Sequence, residues 1–320
     1  MKTPLPLVAM LLISARAIAG PTFHPYRVVD HEQGGLVVGT IAVPDGWTAT
    51  SSVHWNYSDV SLPVRLSLRI AAPDGSAWVE AFPTELFYWL EPHDTSTPVG
   101  GRSLGMIHRP GIAADEALHR FVIQRYRGGA EDLRLLGTRS TVNLAQALGK
   151  PAMPGDSVAA RVRYRASGHT VDEEFFALLG SQNRIPYHGP QGTSFEDHRL
   201  MTYAHSMGAL DGKLDSLQPM LGFIVASFRP DPVWQRHLEM RNRQIAEAFN
   251  RYIAAGYAQI AAAAQLSRTV SANNDALLRS MEAQRRASNR AADRINEQFS
   301  DYIRGTDRRR ESYWGRHPAR

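Results

Sequence analysis

Between residues 233 and 303 the chain holds no proline and a single glycine, Gly256, over roughly seventy positions. Nothing there stops a helix, so the sequence predicts one continuous α-helix. At 1.5 Å per residue it would be on the order of 100 Å long. A preceding body of ~200 residues is too compact to cover such a rod. Part of it must therefore fold back, stand in solvent or meet another surface. Its first part carries Trp234, Leu238, Ile245, Phe249, Tyr252, Ile253, Tyr257 and Ile260 at helical spacing, a stripe wide enough to pack on the body or on a partner. The stripe thins through Leu266, Val270, Leu277 and Met281 and returns at Ile295, Phe299, Tyr302 and Ile303. A coiled coil keeps apolar a and d positions over three or four heptads. This segment does so in patches, which leaves room for a break or hairpin at Ser271-Ala272-Asn273-Asn274.

At the other end, Lys2 precedes an apolar run over 5–13, and Ala17-Ile18-Ala19 stands before Gly20. That order predicts an export signal over 1–19 cleaved near Ala19-Gly20, hence a periplasmic or secreted protein. The run is far short of the ~20 residues that span a bilayer, and no other segment approaches that length. The chain has no cysteine, which excludes disulfides, thiolate metal sites and a cysteine nucleophile. The net charge of +5 is uneven. From Arg229 onward lie 17 of the 36 basic and 10 of the 31 acidic residues, a balance of +7 against −2 for the remainder. A basic arm on a near-neutral body suits peripheral contact with an anionic envelope surface.

The intervening sequence reads as a sheet-rich body over 36–229 after a linker over 20–35. Alternation marks strands at 36–43 (LVVGTIAV), 53–57, 63–71 and 77–82, with turns at Pro44-Asp45-Gly46 and Pro73-Asp74-Gly75; together they make an antiparallel meander. Residues 91–112 read as a loop and 113–126 as a helix. Residues 133–140 and 158–166 read as strands, and 142–148 as a short helix. Residues 172–179 fit a strand or a short helix. A loop over 180–195 precedes a strand at 199–206 and an amphipathic helix at 215–228. Pro230 and Pro232 mark a boundary, with Asp231 as N-cap of the long helix.

Three local patterns coincide with one fold: the strand ending in Pro44-Asp45-Gly46-Trp47, the Pro73-Asp74-Gly75 hairpin leading to Phe82-Pro83, and the helix entered at Gly212-Lys213-Leu214 and closed by Ser227-Phe228-Arg229 before Trp234. Together they resemble the PsbP-like α/β sandwich, shared by the thylakoid-lumen oxygen-evolving subunit and the Ran-binding Mog proteins. The phrase Phe299-Ser300-Asp301-Tyr302-Ile303-Arg304-Gly305 further resembles uncharacterised exported bacterial proteins that append a long helix to such a domain. The resemblance spans about 36–305 and implies an α+β fold: an antiparallel-sheet sandwich, then a long C-terminal helix over 230–305. It also implies a short tryptophan-containing strand segment after that helix, from which this chain departs: residues 306–320 are basic and read as a disordered tail. The resemblance further implies a binding or accessory scaffold, although a fold does not fix a function.

Ala204-His205-Ser206-Met207-Gly208 approaches the G-x-S-x-G nucleophile elbow, so a serine hydrolase using Ser206 is the enzymatic alternative. The elbow needs a helix straight after the serine, whereas Ala209-Leu210-Asp211-Gly212 reads as a turn. Asp172-Glu173-Glu174 reads as a solvated acidic face beside Arg161, Arg163 and Arg165. Glu196-Asp197-His198 with His205 could offer hard metal ligands, yet no metal-binding spacing is present. Trp47, Trp55, Trp78 and Trp89 concentrate in the sheet region and read mainly as core. Phe87-Tyr88-Trp89 is different, because three consecutive aromatics cannot all point inward from one strand. Arg285, Arg286, Arg290 and Arg294 form a basic stripe with Glu282, Asp293 and Glu297 among them, a salt-bridged helix face rather than a nucleic-acid site. The sequence therefore predicts no catalytic, cofactor or metal residues. Its expected interaction surface is Phe87, Tyr88 and Trp89 with Phe249, Tyr252 and Tyr257. The expected protein is a non-enzymatic binding module that self-associates or engages an envelope partner through its helix, with a secretion-system cargo or accessory role as a further alternative.

Overall fold

A computed structural model of the chain describes residues 21–92, 97–181, 183–189, 192–270, 283–287, 289–290 and 295–296. The expected export signal, the 271–274 break, the 299–305 phrase and the 306–320 tail lie outside the described residues.

The fold is mixed α+β and dominated by strands. Its centre is β11 (His169–Gly180), whose side chains alternate between two cores: Val171, Phe175, Ala177 and Leu179 enter one, Phe176 and Leu178 the other. The apolar run over 175–179, buried on both sides, is what a strand covered on both faces requires, and residues 172–179 are strand rather than helix. Flanking β11 are β10 (Gly155–Ala166), then β9 (Glu131–Ser140) at the edge. On the other side lie β13 (Gly192–Leu210), β5 (Ala77–Ala81), β4 (Val64–Ala71) and β3 (Thr48–Trp55). All these pairs are antiparallel. The 19-residue β13 is the spine: its second half pairs with β5 and β11, its first half with β6 (Glu85–Glu91) and β12 (Asn183–Gly189). Short strands β7 (Arg102–Ser103) and β8 (Met106–His108) extend the sheet beyond β6.

One face is closed by a helix over 114–127, made of α1 (Ala114–Leu118), a π turn at His119–Ile123 and α2 (Gln124–Arg127). Its Leu118, Val122 and Ile123 are buried against Phe82, Phe175 and Ile107. The other face is closed by α3 (Leu144–Ala147), by α4 (Leu214–Ala226) and by a separate sheet of β1 (Phe23–Asp30), β2 (Leu36–Pro44) and β14 (Arg229–Pro230). Each large apolar side chain enclosed between these layers stabilises the fold by roughly 1.5–3 kcal/mol.

The structure corrects four expectations. Residues 20–35 are not a linker: they contain β1, whose inward Val28 and Asp30 are fully buried. As a result, β2 pairs with β1 rather than joining the β3–β4–β5 meander. The 91–112 loop contains β7 and β8. The 180–195 loop is a hairpin of β12 with β13; residues 183–186 are exposed, so no apolar alternation betrays the strand. The final helix, α5 (Pro232–Val270), begins where the prolines place it. Its expected continuation to Ile303 lies largely outside the described residues. Among the described residues no helix is long and apolar enough to cross a membrane.

Candidate functional site

The first turns of α5 are fixed to the body by a polar staple. Asp231 caps the helix, its Oδ1 accepting the Val233 N–H at 2.7 Å, and Pro232 occupies the first turn, where its missing N–H costs nothing. Trp234 then turns inward and its indole N–H donates to Asp30 Oδ2 at 3.1 Å; Trp55 donates to the same oxygen at 2.8 Å. Asp30 Oδ1 accepts the Gln33 backbone N–H. One turn along α5, His237 Nε2 donates to Gln33 Oε1 at 2.8 Å, and the buried Arg241 donates to it through Nε and Nη2 at 3.3 Å each. Ile245 and Ala248 then bury against Trp55, with Leu238 and Phe249 packed around them. Two indole donors and one backbone N–H on one buried carboxylate give this root a defined direction.

Beyond Phe249 the body no longer covers the helix. Tyr252 is half-buried, its ring 6.4 Å from that of Phe249. Ile253, Tyr257 and Ile260 are 38%, 64% and 50% exposed. Residues 249, 253, 257 and 260 share one face at helical spacing, so the buried root runs directly into an uncovered apolar stripe.

The expected interaction residues lie on two elements, β6 and α5. Phe87 is buried and meets Phe121 edge-on at 4.9 Å. Tyr88 lies on the opposite face of β6, its ring 5.0 Å from His108 and 5.2 Å from His198. Trp89 is half-buried opposite Asp197 in the β6–β13 ladder. These three belong to the sheet, whereas Phe249, Tyr252 and Tyr257 belong to the helix.

The acidic cluster overturns its expected exposure. Asp172, Glu173 and Glu174 are all buried, because they sit in the central strand beneath covering layers. The arginine neighbours are partly as expected. Asp172 accepts from Arg163 Nε at 2.7 Å and faces Arg161 at 3.7 Å, while Glu174 accepts from Arg139 at 2.7 Å and from Gln218 at 3.0 Å. Glu173, with 0% exposure, points to the opposite core. It accepts from Arg127 Nε and Nη2, both at 2.7 Å, Tyr164 OH at 2.8 Å, Trp78 Nε1 at 3.1 Å and Ser206 Oγ at 2.6 Å. Burial alone would lower the Arg127 pKa, but hydrogen bonds and charge from Glu173 and Glu80 hold it above the ordinary arginine value. Burial, reinforced by the Glu173 charge, pushes the Tyr164 phenol upward.

This network removes the elbow reading of Ser206. The hydroxyl is 0% exposed, lies inside β13 rather than at a strand-to-helix turn, and donates to Glu173. His205 occupies the other face, stacked on Phe176 at 4.9 Å, with Nδ1 2.7 Å from the Tyr203 carbonyl oxygen. Burial lowers its pKa to about 4, the carbonyl contact opposing this weakly. No base therefore faces Ser206 from His205. The Glu196-Asp197-His198 set is also dispersed: His198 Nε2 lies 3.3 Å from Glu196 Oε2, Asp197 faces away, and His205 is in another core. Among the described residues no group of three or more histidine, aspartate or glutamate side chains is placed to hold a metal ion.

A cavity of about 130 Å³ lies between β1–β2, the large sheet and the end of α4. Its lining is almost wholly aliphatic and aromatic, the polar members being Tyr203 and His205. Tyr203 has φ +54° and stands at the β13 bulge, where Phe176 and Leu178 face His205 and Thr202. A left-handed tyrosine is a costly conformation, held by its surroundings. No protein-family model and no curated protein matches this sequence.

Sequence reasoning missed Asp30 and Gln33, which orient the arm. Their signal was present: Asp30-His31-Glu32-Gln33 has the spacing of a capping box, an acceptor followed three residues later by Gln, and Asp30 caps a short 3-10 helix, His31–Gln33.

Proposed function

We propose that this chain is an exported, non-enzymatic docking module whose body is a PsbP-like sandwich and whose α5 is an arm for self-association. The observation that carries the reading is the continuity of one apolar stripe. It is buried and polar-stapled through Ile245 and Ala248, then uncovered at Ile253, Tyr257 and Ile260. A helix end that is merely frayed needs no rigid root and no aromatic stripe beyond it; a contact element needs both. The sandwich reading is supported by the two-sided antiparallel sheet, by the Pro44–Trp47 turn closed by Trp47 N–H to Pro44 O at 3.0 Å, and by α4 leading into Trp234. Export is supported by the order of charge, apolar run and small residues in the first twenty positions.

Light scattering coupled to size exclusion tests the arm. The full chain at tens of micromolar should run as an oligomer, while Tyr257→Glu with Ile260→Glu should run as a monomer of unchanged melting temperature. A monomeric wild type across that range refutes self-association. Intact mass of the protein recovered from the envelope or medium tests export, since a cleaved chain begins at Gly20.

A further inference from the structure

The cavity beside His205 plays no part in the arm and would serve this protein whether or not α5 self-associates. Its volume of about 130 Å³ is close to the ~150 Å³ of dry apolar space that accepts benzene or xenon in another protein. Its floor is buried and aliphatic (Val28, Ile41 and Val79), and its rim (Leu148, Val225 and Phe228) is half-buried, which leaves a way in. Two backbone features stand at its walls. The bulge with left-handed Tyr203 inserts an extra residue into β13 at the wall, a device that re-aims side chains beside sites. Gly39 lets Phe228 press against β2, since a Cβ there would lie 2.8 Å from the Phe228 ring.

His205 supplies the polar chemistry. A carbonyl oxygen only accepts, so the Nδ1 facing Tyr203 O carries the proton. With a pKa of about 4 the ring is neutral at pH 7, and Nε2 is then a bare acceptor with no hydrogen bond among the described residues. An apolar chamber sized for one ring, with His205 and Tyr203 as the polar residues of its lining, suits a ligand with one ring and one donor. We propose that this cavity binds a small free monocyclic hydroxyl compound, phenol being the simplest, with the ring in the chamber and the O–H donating to His205 Nε2.

Calorimetric titration of the full chain at pH 7 with phenol, toluene and N-acetyl-tyrosinamide tests the proposal. Phenol should saturate one site and bind about tenfold more tightly than toluene, the size of one net hydrogen bond. Ala81→Leu, which grows a lining residue into the chamber, should abolish binding of both; Leu68→Phe does the same from another wall should the first variant not fold. His205→Phe should weaken phenol to the toluene level and leave toluene bound. Absence of saturable phenol binding, equal affinity for phenol and toluene, or unchanged binding in the filled variants overturns the proposal. Binding of N-acetyl-tyrosinamide as tight as phenol also overturns it, because the occupant would then be a partner's side chain.

Discussion

Replacing Glu173 by Gln keeps the shape of the side chain and removes its charge at the most heavily bonded point of the core. The carboxylate is 0% exposed and the Arg127 side chain 13% exposed, with two contacts of 2.7 Å between them. Taking away one partner of a buried ion pair costs about 3–5 kcal/mol, because the other charge is left uncompensated. Arg127 keeps Glu80 at 2.6 Å, and the glutamine carbonyl still accepts from one or two of Tyr164, Trp78 and Ser206. The loss should therefore fall at the low end, about 3 kcal/mol, or about 6–12 °C in melting temperature for a body of this size. Urea unfolding followed by tryptophan fluorescence reads it directly. Arg127→Met should cost a similar amount, whereas Glu173→Gln with Arg127→Met should fall well short of the sum, because the double variant removes both charges together and leaves neither uncompensated. A Glu173→Gln variant within about 0.5 kcal/mol of wild type, or strict additivity of the two single losses, would refute the view that this is one coupled network.

Gly208 faces Trp78 so closely that an added Cβ would stand 2.3 Å from two ring carbons; Gly208→Ala should destabilise by about 1–3 kcal/mol through overpacking, and an unchanged urea midpoint would contradict it. The buried His205 gives a signed pH dependence. Its folded pKa of about 4 lies below the unfolded 6.5, so the unfolded chain binds the proton first and stability is lost as pH falls from 6.5 toward 4. That loss reaches about 3 kcal/mol. In His205→Phe the component should vanish, so the unfolding free energies of variant and wild type should converge or cross on acidification; parallel curves would show that the ring does not titrate as placed.

The β3–β4–β5 meander, the helix over 114–127, β10 and α4 were legible because each shows its period in the sequence and each has one plainly apolar face. β1 was not, because Pro25 and the polar residues around it mask an alternation whose deepest member is Asp30, a carboxylate in a position that pattern reading reserves for an apolar residue. Glu173 misleads in the same way. A run of three acids suggests solvent, yet the run lies in the middle of β11, and only the pairing partners from β5, α2, β10 and β13 make its burial tolerable. β12 failed for the opposite reason: a strand exposed at residues 183–186 has no apolar face to announce it. The Phe87-Tyr88-Trp89 argument held as geometry, with alternate sides of β6 taking alternate rings, but strand geometry says nothing about whether Phe249 and Tyr257 join them.

Three single carboxylates organise this cysteine-free chain, and each gathers donors from elements far apart in sequence. Glu173 ties β11 to β5, α2, β10 and β13; Glu85 takes Arg65 at 3.1 Å, Arg102 at 2.9 Å and Arg125 at 2.8 Å; Asp30 joins β1 to Trp55 and, 204 residues later, to Trp234. Well-packed apolar residues could replace such groups at little net cost in stability, so what they add is direction, since a hydrogen bond is lost by a tilt that an apolar contact survives. For Glu85 and Glu173 that direction serves the sheet and its covering helix. For Asp30 it serves α5: Trp234 of the helix and Trp55 of the sheet donate to one oxygen, which ties the helix root to the body. Under the proposed self-association the stripe has to be presented at a set angle, and Asp30 anchors the turn from which it starts.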